Sequence, residues 1–231
     1  APFVMINTLV DSNAAEFNAN GGRGMGGGLV IAVRTGYDDN GSPLNGYSFL
    51  ISNTIVDNYA GANQEQGEAG GILINDSQNQ YGTWFNNIIW GNKLLGRTNH
   101  NQIYLNYNAE NIKFNDDYND IQNLEQHNQY SRFGDYSVSY EPEFSDSASG
   151  DFTLTDKSLL LGSGTASFEG YVAPAKDILG NARPNPAGSS PDMGAYENSI
   201  AKSPYPKQAQ NLTAVGGSGQ VTLNWDALAD A

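Results

Sequence analysis

Phe3-Val4-Met5-Ile6-Asn7-Thr8-Leu9-Val10-Asp11 returns later in the chain as Phe49-Leu50-Ile51-Ser52-Asn53-Thr54-Ile55-Val56-Asp57, with five of nine positions identical. A third version is Thr83-Trp84-Phe85-Asn86-Asn87-Ile88-Ile89-Trp90-Gly91. Setting Asn7, Asn53 and Asn87 in register gives offsets of 46 and 34 residues. A short polar turn follows each version, at Ser12-Asn13, Asn58 and Asn92. Between these lies a second repeating element. Gly27-Gly28-Leu29-Val30-Ile31 matches Gly70-Gly71-Ile72-Leu73-Ile74, and Gln102-Ile103-Tyr104-Leu105 is a weaker version without the glycines. Repetition at this period is the mark of an array in which each unit stacks on its neighbours.

The repeated segments are short, apolar and β-branched, and Gly and Asn bound them, which reads as strands. None can bury its inner face alone. Stacked in parallel at roughly 4.8 Å, equivalent strands bury a continuous core and place equivalent residues over one another. On this alignment Leu9, Ile55 and Ile89 form an aliphatic stack. Asn7, Asn53 and Asn87 form a ladder of side-chain amides at a turn, where Asn tolerates a left-handed backbone. This accounts for the 28 asparagines, 23 of them before residue 150. The Gly pairs suit a corner that needs positive φ or close backbone approach. An antiparallel sandwich does not require equivalent turns to carry equivalent asparagines, and the β-rich, Gly-rich segments exclude a helical array. The expected fold is all-β: a parallel β-helix over 1–122, an irregular C-terminal cap over 123–200, and over 201–231 a linker with the first strands of a truncated β-sandwich.

The 231 residues carry a formal net charge of −14, which argues against nucleic acid and anionic membranes as partners. The chain has no cysteine, so a disulfide scaffold and a thiolate metal site are excluded. The apolar runs are far too short for a transmembrane segment. No signal peptide is visible, and the strand-like opening at Ala1-Pro2-Phe3 makes both ends read as cuts in a longer parent chain.

The repeat resembles the right-handed parallel β-helix of the pectate-lyase-like superfamily, and its alternation of Gly-Gly and Asn-turn strands also looks like that of bacterial polymorphic outer-membrane proteins. Asn115-Asp116-Asp117-Tyr118-Asn119-Asp120-Ile121-Gln122 looks like a last coil. Glu141-Pro142-Glu143-Phe144, Gly150-Asp151-Phe152-Thr153-Leu154 and Leu161-Gly162-Ser163-Gly164 come after it. Next are Asp177-Ile178-Leu179-Gly180-Asn181-Ala182-Arg183-Pro184 and Asp192-Met193-Gly194-Ala195-Tyr196-Glu197. This succession is similar to the choice-of-anchor Q domain, which implies an exported β-helix closed just before a surface-anchoring signal. Ser158-Leu159-Leu160-Leu161 departs from the Ser-Pro-Ala-like turn usual there. Within this region Arg183 with Asp177 and Asp192 makes either a buried ionic clasp or three solvated charges. Gln210-Asn211-Leu212-Thr213-Ala214-Val215 and Gly219-Gln220-Val221-Thr222-Leu223-Asn224-Trp225 resemble the first two strands of a fibronectin type III domain. Asp146-Ser147-Ala148 resembles the short O-glycosylation motif of exported Bacteroidetes proteins, which implies export to the outer cell surface of such a bacterium.

Candidate chemistry is sparse. Asp38, Asp39 and Asn40, before Gly41-Ser42, are an oxygen-rich loop that suits calcium, the one cofactor the sequence suggests; the alternative is a polar excursion between coils. Asn115-Asp116-Asp117 has the same two readings. Trp84, Trp90, Tyr104 and Tyr107 are either a platform for stacking glycans or large residues plugging the core. A polysaccharide lyase needs calcium ligands and a base on one sheet; the bases are Arg23, Arg34, Lys93, Arg97 and His100, and no acidic ladder recurs beside them. Paired carboxylates of a glycoside hydrolase would come from Glu65, Glu68, Asp76, Asp116, Asp117 and Asp120. His100 and His127 are too isolated for zinc or a triad. The expected function is structural and adhesive at a bacterial surface. The partners are a polysaccharide or a neighbouring cell-surface protein, with further domains of the same parent chain. The alternative is a secreted lyase or hydrolase whose active site lies mostly outside these residues.

Overall fold

The computed structural model describes residues 2–15, 24–32, 39–40, 46–61, 69–74, 80–94, 102–105, 112–127, 134–205 and 212–225. The first repeat supplies β1 (Phe3–Ile6), β2 (Leu9–Asp11), β3 (Ala14–Ala15) and β4 (Leu29–Ile31). The second supplies β5 (Gly46–Ile51), β6 (Thr54–Val56), β7 (Tyr59–Ala60) and β8 (Ile72–Ile74). The third supplies β9 (Gln80–Phe85), β10 (Ile88–Trp90), β11 (Lys93–Leu94) and β12 (Ile103–Leu105). A fourth supplies β13 (Ile112–Asp117) and β14 (Asp120–Ile121), then one turn of helix, α1 (Leu124–His127). Equivalent strands lie side by side in four sheets, β1-β5-β9-β13, β2-β6-β10-β14, β3-β7-β11 and β4-β8-β12. Their pairings are parallel throughout. The described chain is therefore all-β with parallel sheets.

Two residues suffice to turn the chain between the first and second sheets. Asn7, Ser52, Asn86 and Tyr118 hold this corner with φ of 49°, 54°, 57° and 54°. Ser12, Asp57, Gly91 and Asn123 hold the next, with φ of 53°, 52°, 68° and 56°. These corners fix the register, and they set the first repeat one residue away from the sequence alignment. Ile6 pairs with Ile51 and Leu9 with Thr54, an offset of 45. Asn7 thus falls beside Ser52, and Thr8 beside Asn53. The aliphatic stack is Val10, Ile55, Ile89 and Ile121 rather than Leu9, Ile55 and Ile89, and Asp11 lies beside Val56 rather than Asp57. A one-residue slip would turn every core side chain of the strand outward, so burial outweighs identity in choosing the register.

Alternate residues of the first, second and fourth sheets meet in one core, built from Leu50 and Trp84, from Ile55, Ile89 and Ile121, and from Ile31, Ile72, Ile74 and Ile103. The opposite side of the second sheet carries a second core, in which Val56 and Ile88 pack on Phe152, Leu154, Leu160, Leu161 and Met193. The region expected to cap the array therefore divides its work. Residues 134–140 close the fourth repeat. Val138 N–H donates to Asn119 O and Ile121 N–H to Val138 O, at 2.8 and 2.9 Å, while Ser137 and Ser139 hydroxyls accept from Asn119 and Asn123 N–H. Most of the chain between residues 141 and 200 runs along the side of the repeats. Ala195 N–H donates to Thr54 Oγ1 and Gly194 N–H to Asn86 O, and Thr165 and the Asn86 amide exchange two bonds. This segment includes two antiparallel hairpins, β15 (Phe144–Asp146) with β16 (Asp151–Leu154) and β17 (Ser167–Phe168) with β18 (Tyr171–Val172). A last antiparallel hairpin, β19 (Thr213–Gly217) with β20 (Gln220–Asn224), falls where a sandwich was expected to begin, and all its residues are exposed. Among the described residues no helix is long and apolar enough to cross a membrane.

Candidate functional site

Two ladders of buried amides run through the repeats. Asn53 N–H and Nδ2 both donate to Asn87 Oδ1, at 3.1 and 2.9 Å. Asn87 does the same to Asn119 Oδ1, at 3.0 and 2.8 Å. Each Nδ2 also reaches back to a carbonyl of the preceding repeat: Asn53 to Met5, Asn87 to Leu50, Asn119 to Trp84. Asn53 and Asn87 thus occupy both amide donors and the acceptor where no water can serve them. In the first repeat Thr8 takes this place and ends the ladder, giving its N–H to Asn53 Oδ1 and its hydroxyl to Ile6 O. Asn7 is not part of the ladder. Asn suits the left-handed corner as well as the ladder, and Asn7 occupies the corner that Asn86 occupies in the third repeat. Asn119, unmarked in the sequence reading, supplies the fourth-repeat rung.

The second ladder joins Asn13 to Asn58 Oδ1 and Asn58 to Asn92 Oδ1, with all four bonds at 2.9–3.0 Å. Gln102 ends it: Asn92 Nδ2 donates to Gln102 Oε1, and Gln102 Nε2 donates to Asn92 O and to Gln122 Oε1. Gln102 stands where the two earlier repeats have Gly28 and Gly71, so the weaker third version of that strand gains a polar stopper. At the glycine corner the reason for Gly is proximity rather than φ. A Cβ on Gly70 would lie 2.5 Å from Lys93 O, and one on Gly27 2.4 Å from both Gly70 O and Tyr59 O.

Arg183 is buried, and its ion pair runs to Glu197, not to Asp177 or Asp192. Nε lies 2.9 Å from Glu197 Oε2 with the two side chains 1% and 0% exposed. Its other nitrogens donate to Gly194 O and to Asn7 Oδ1. Asp177 instead accepts from Leu179, Asn181 and Glu197 N–H, and Asp192 from Gly162 and Asn198 N–H. Glu197 belongs to the same motif as Asp192, so three carboxylates compete for one guanidinium and only the fold ranks them. Burial pushes Glu197 up and Arg183 down, and their contact opposes both shifts. Burial also pushes Asp192 up to about 7, against the N–H bonds it accepts.

The acidic residues of the last repeat are interior. Asp116 occupies the position of Leu50 and Trp84 in the core. Burial, then the charge of Asp117, pushes its carboxyl up to about 8, and its Oδ1 finds no hydrogen-bond partner among the described residues. Asp117 accepts from Tyr118 and Tyr136 N–H. Asp120 is fully buried, accepts from Tyr140 N–H, and is held far above the usual carboxylate range by burial. Glu65, Glu68, Asp76, Arg23, Arg34, Arg97 and His100 lie outside the described residues, and Lys93 is exposed on β11. Asp39 and Asn40 are exposed in a turn, while Asp38 lies outside the described residues. Among the described residues no three carboxylate, His or Cys side chains gather as metal ligands.

Of the four aromatics that the sequence offers as a glycan platform or a core plug, three are described, and Trp84 takes the core place. Trp84 is 2% exposed, stacks on Phe114 at 4.8 Å and donates its indole N–H to Ser48 Oγ. Trp90 is half-buried against the second core, Tyr104 is half-buried, and Tyr107 lies outside the described residues. A turn separates Trp84 from Trp90, so their shared parity places them in different cores. Three exposed tyrosines rest on half-buried rings: Tyr47 on Tyr81 at 5.5 Å, Tyr171 on Phe49 at 4.8 Å, and Tyr136 parallel to Tyr118 at 4.8 Å. No family model matches the chain, and comparison with curated proteins and with solved structures likewise finds no match.

Proposed function

We propose that this chain belongs to an exported, structural and adhesive protein of a bacterial cell surface, built as a right-handed parallel β-helix. In this reading residues 123–200 are a choice-of-anchor Q-like cap, and β19 and β20 open a fibronectin type III-like sandwich. The observation that carries it is the pair of buried amide ladders, in register across parallel sheets. Such ladders make a stiff rod whose outer face is long and regular, which suits display and contact rather than a closing cleft. The acidic groups nearest to a catalytic pair, Asp116, Asp117 and Asp120, are taken up by the interior of the last repeat. The partner in this reading is a polysaccharide or a neighbouring surface protein.

The test is to incubate the full chain with bacterial cells and with insoluble polysaccharides, and to follow both retention and cleavage. Retention on cells or on a polysaccharide without product release is expected. Release of unsaturated uronate or of new reducing ends would replace the adhesive reading with the lyase or hydrolase one. Retention on neither would sink it.

A further inference from the structure

A series of aromatic rings lies on the outer face of the first sheet and on the segments packed against it. At one end Tyr136, 62% exposed, lies parallel to Tyr118, with 5° between the planes. One face of the Tyr136 ring is therefore covered by Tyr118, while the residue as a whole stays largely exposed. Tyr118 meets Phe168 edge-on at 6.1 Å. Phe168 is paired across its hairpin with Tyr171, which is 41% exposed and packs on Phe49. Phe49 shares its side of β5 with Tyr47, 42% exposed, two residues away along the strand. The half-buried rings anchor the three exposed tyrosines, so their orientations are set before any ligand arrives.

We propose that this band binds a neutral polysaccharide, with Tyr136, Tyr171 and Tyr47 as successive sugar-stacking positions. The proposal rests on the adhesive reading above and names its ligand class and site. Three observations choose the occupant. Tyrosine offers a flat ring face, electron-rich enough to attract the faintly positive axial C–H groups of a sugar, and a hydroxyl for its polar rim. The contacts place half-buried rings between one exposed tyrosine and the next, so the three offer separate positions in succession rather than the single central patch typical of a protein interface. The chain has 25 acidic and 11 basic side chains, with Asp135 exposed beside Tyr136, so a polyuronate or another anionic polymer is repelled and a neutral one is not.

Affinity electrophoresis of the full chain tests this, through gels containing a soluble β-glucan, a neutral xylan or polygalacturonate. At least one neutral gel should retard the chain, and polygalacturonate should not. Tyr136→Ala and Tyr171→Ala should each weaken that retardation about tenfold, as loss of one ring stack does. Tyr136→Phe, which keeps the ring face, should retain most of it, and Tyr205→Ala, exposed but outside the band, all of it. Equal retardation of wild type and both alanine variants would remove the band while leaving the adhesive reading standing. So would failure of every neutral gel to retard a chain that still coats cells. A chain that coats no cells and enters every gel freely would end both. A self-associated chain that Tyr136→Ala dissociates would reassign the band to a protein interface and overturn the proposal.

Discussion

Truncating the middle rung of the first ladder, Asn87→Ala, isolates what the amides contribute. Asn87 is fully buried, and its Oδ1 is the acceptor for both Asn53 N–H and Asn53 Nδ2. Its Nδ2 serves Leu50 O, Phe85 O and Asn119 Oδ1. After truncation Asn53 Nδ2 still has Met5 O, and Asn119 Oδ1 still has Asn87 N–H, but Asn53 N–H has no partner. One orphaned buried N–H costs about 1–3 kcal/mol, and the remaining lost bonds add about 1 kcal/mol each where the survivors cannot compensate. With a small cavity term, the expected loss is about 3–5 kcal/mol. Asn115→Ala, on an exposed position of the neighbouring strand, should stay within about 0.5 kcal/mol of wild type. Urea denaturation followed by tryptophan fluorescence measures both, because Trp84 reports on the same core. The reasoning fails if Asn87→Ala unfolds within about 1 kcal/mol of Asn115→Ala at unchanged slope.

Three further outcomes are expected from the same interior. Asp116, with a folded pKa of about 8 against an unfolded 3.8, binds more protons folded than unfolded between those values, so stability falls as pH rises from about 4 to about 8. Asp116→Asn should remove its share of that slope, leaving stability near wild type at pH 4 and raising it by up to about 5 kcal/mol at pH 8, read from urea midpoints at the two pH values. Arg183→Met leaves Glu197 as an uncompensated buried charge and should cost about 3–5 kcal/mol, with the double variant Arg183→Met/Glu197→Gln costing less than the sum of the singles in a double-mutant cycle. Gly70→Ala, whose new Cβ would meet three Lys93 backbone atoms at 2.5–2.6 Å, should sharply lower the thermal midpoint, whereas Gly216→Ala, with nothing within 4 Å, should leave it unchanged.

The strands and their parallel stacking were legible because stacking forces equivalent residues into equivalent environments, and the sequence then repeats the requirement. The Gly70-Gly71-Ile72 element is the clearest case. Two glycines pressed against neighbouring backbone and a strand facing the core recur intact as Gly27-Gly28-Leu29. The first corner differs from its sequence alignment by one residue for an equally physical reason. Asn satisfies two adjacent demands there, a left-handed φ and a ladder rung, and a repeat needs it at only one of them. The third repeat fills both with Asn86-Asn87, the second fills them with Ser52-Asn53, and the first fills them with Asn7-Thr8. Matching the lone Asn7 to the rung residue of the second repeat counts chemistry without its geometry. The pattern Tyr118-Asn119-Asp120-Ile121, read against Asn86-Asn87-Ile88-Ile89, carries enough signal to locate the fourth rung.

The candidate site was less legible, because its determinants are not periodic. Asn7 and Arg183 meet across 176 residues, in a contact that no local pattern encodes. The same holds for the aromatic band, which draws rings from β5, from the corner after β13, from residues 134–140 and from the β17–β18 hairpin, four places with no shared motif. Trp84 and Trp90 are large and close in sequence, yet a repeat that turns a corner every few residues sends near neighbours into different cores. In such an array, closeness in sequence predicts a shared environment only at the repeat offset. The surface residues proposed above for binding are those at which that periodic rule is broken by a segment packed from outside. Tyr171 and Phe168 arrive from that outside segment. They add rings in contact with Phe49 and Tyr118 to a row of strand residues with ordinary alternating exposure, and the proposed sugar-stacking face depends on that addition.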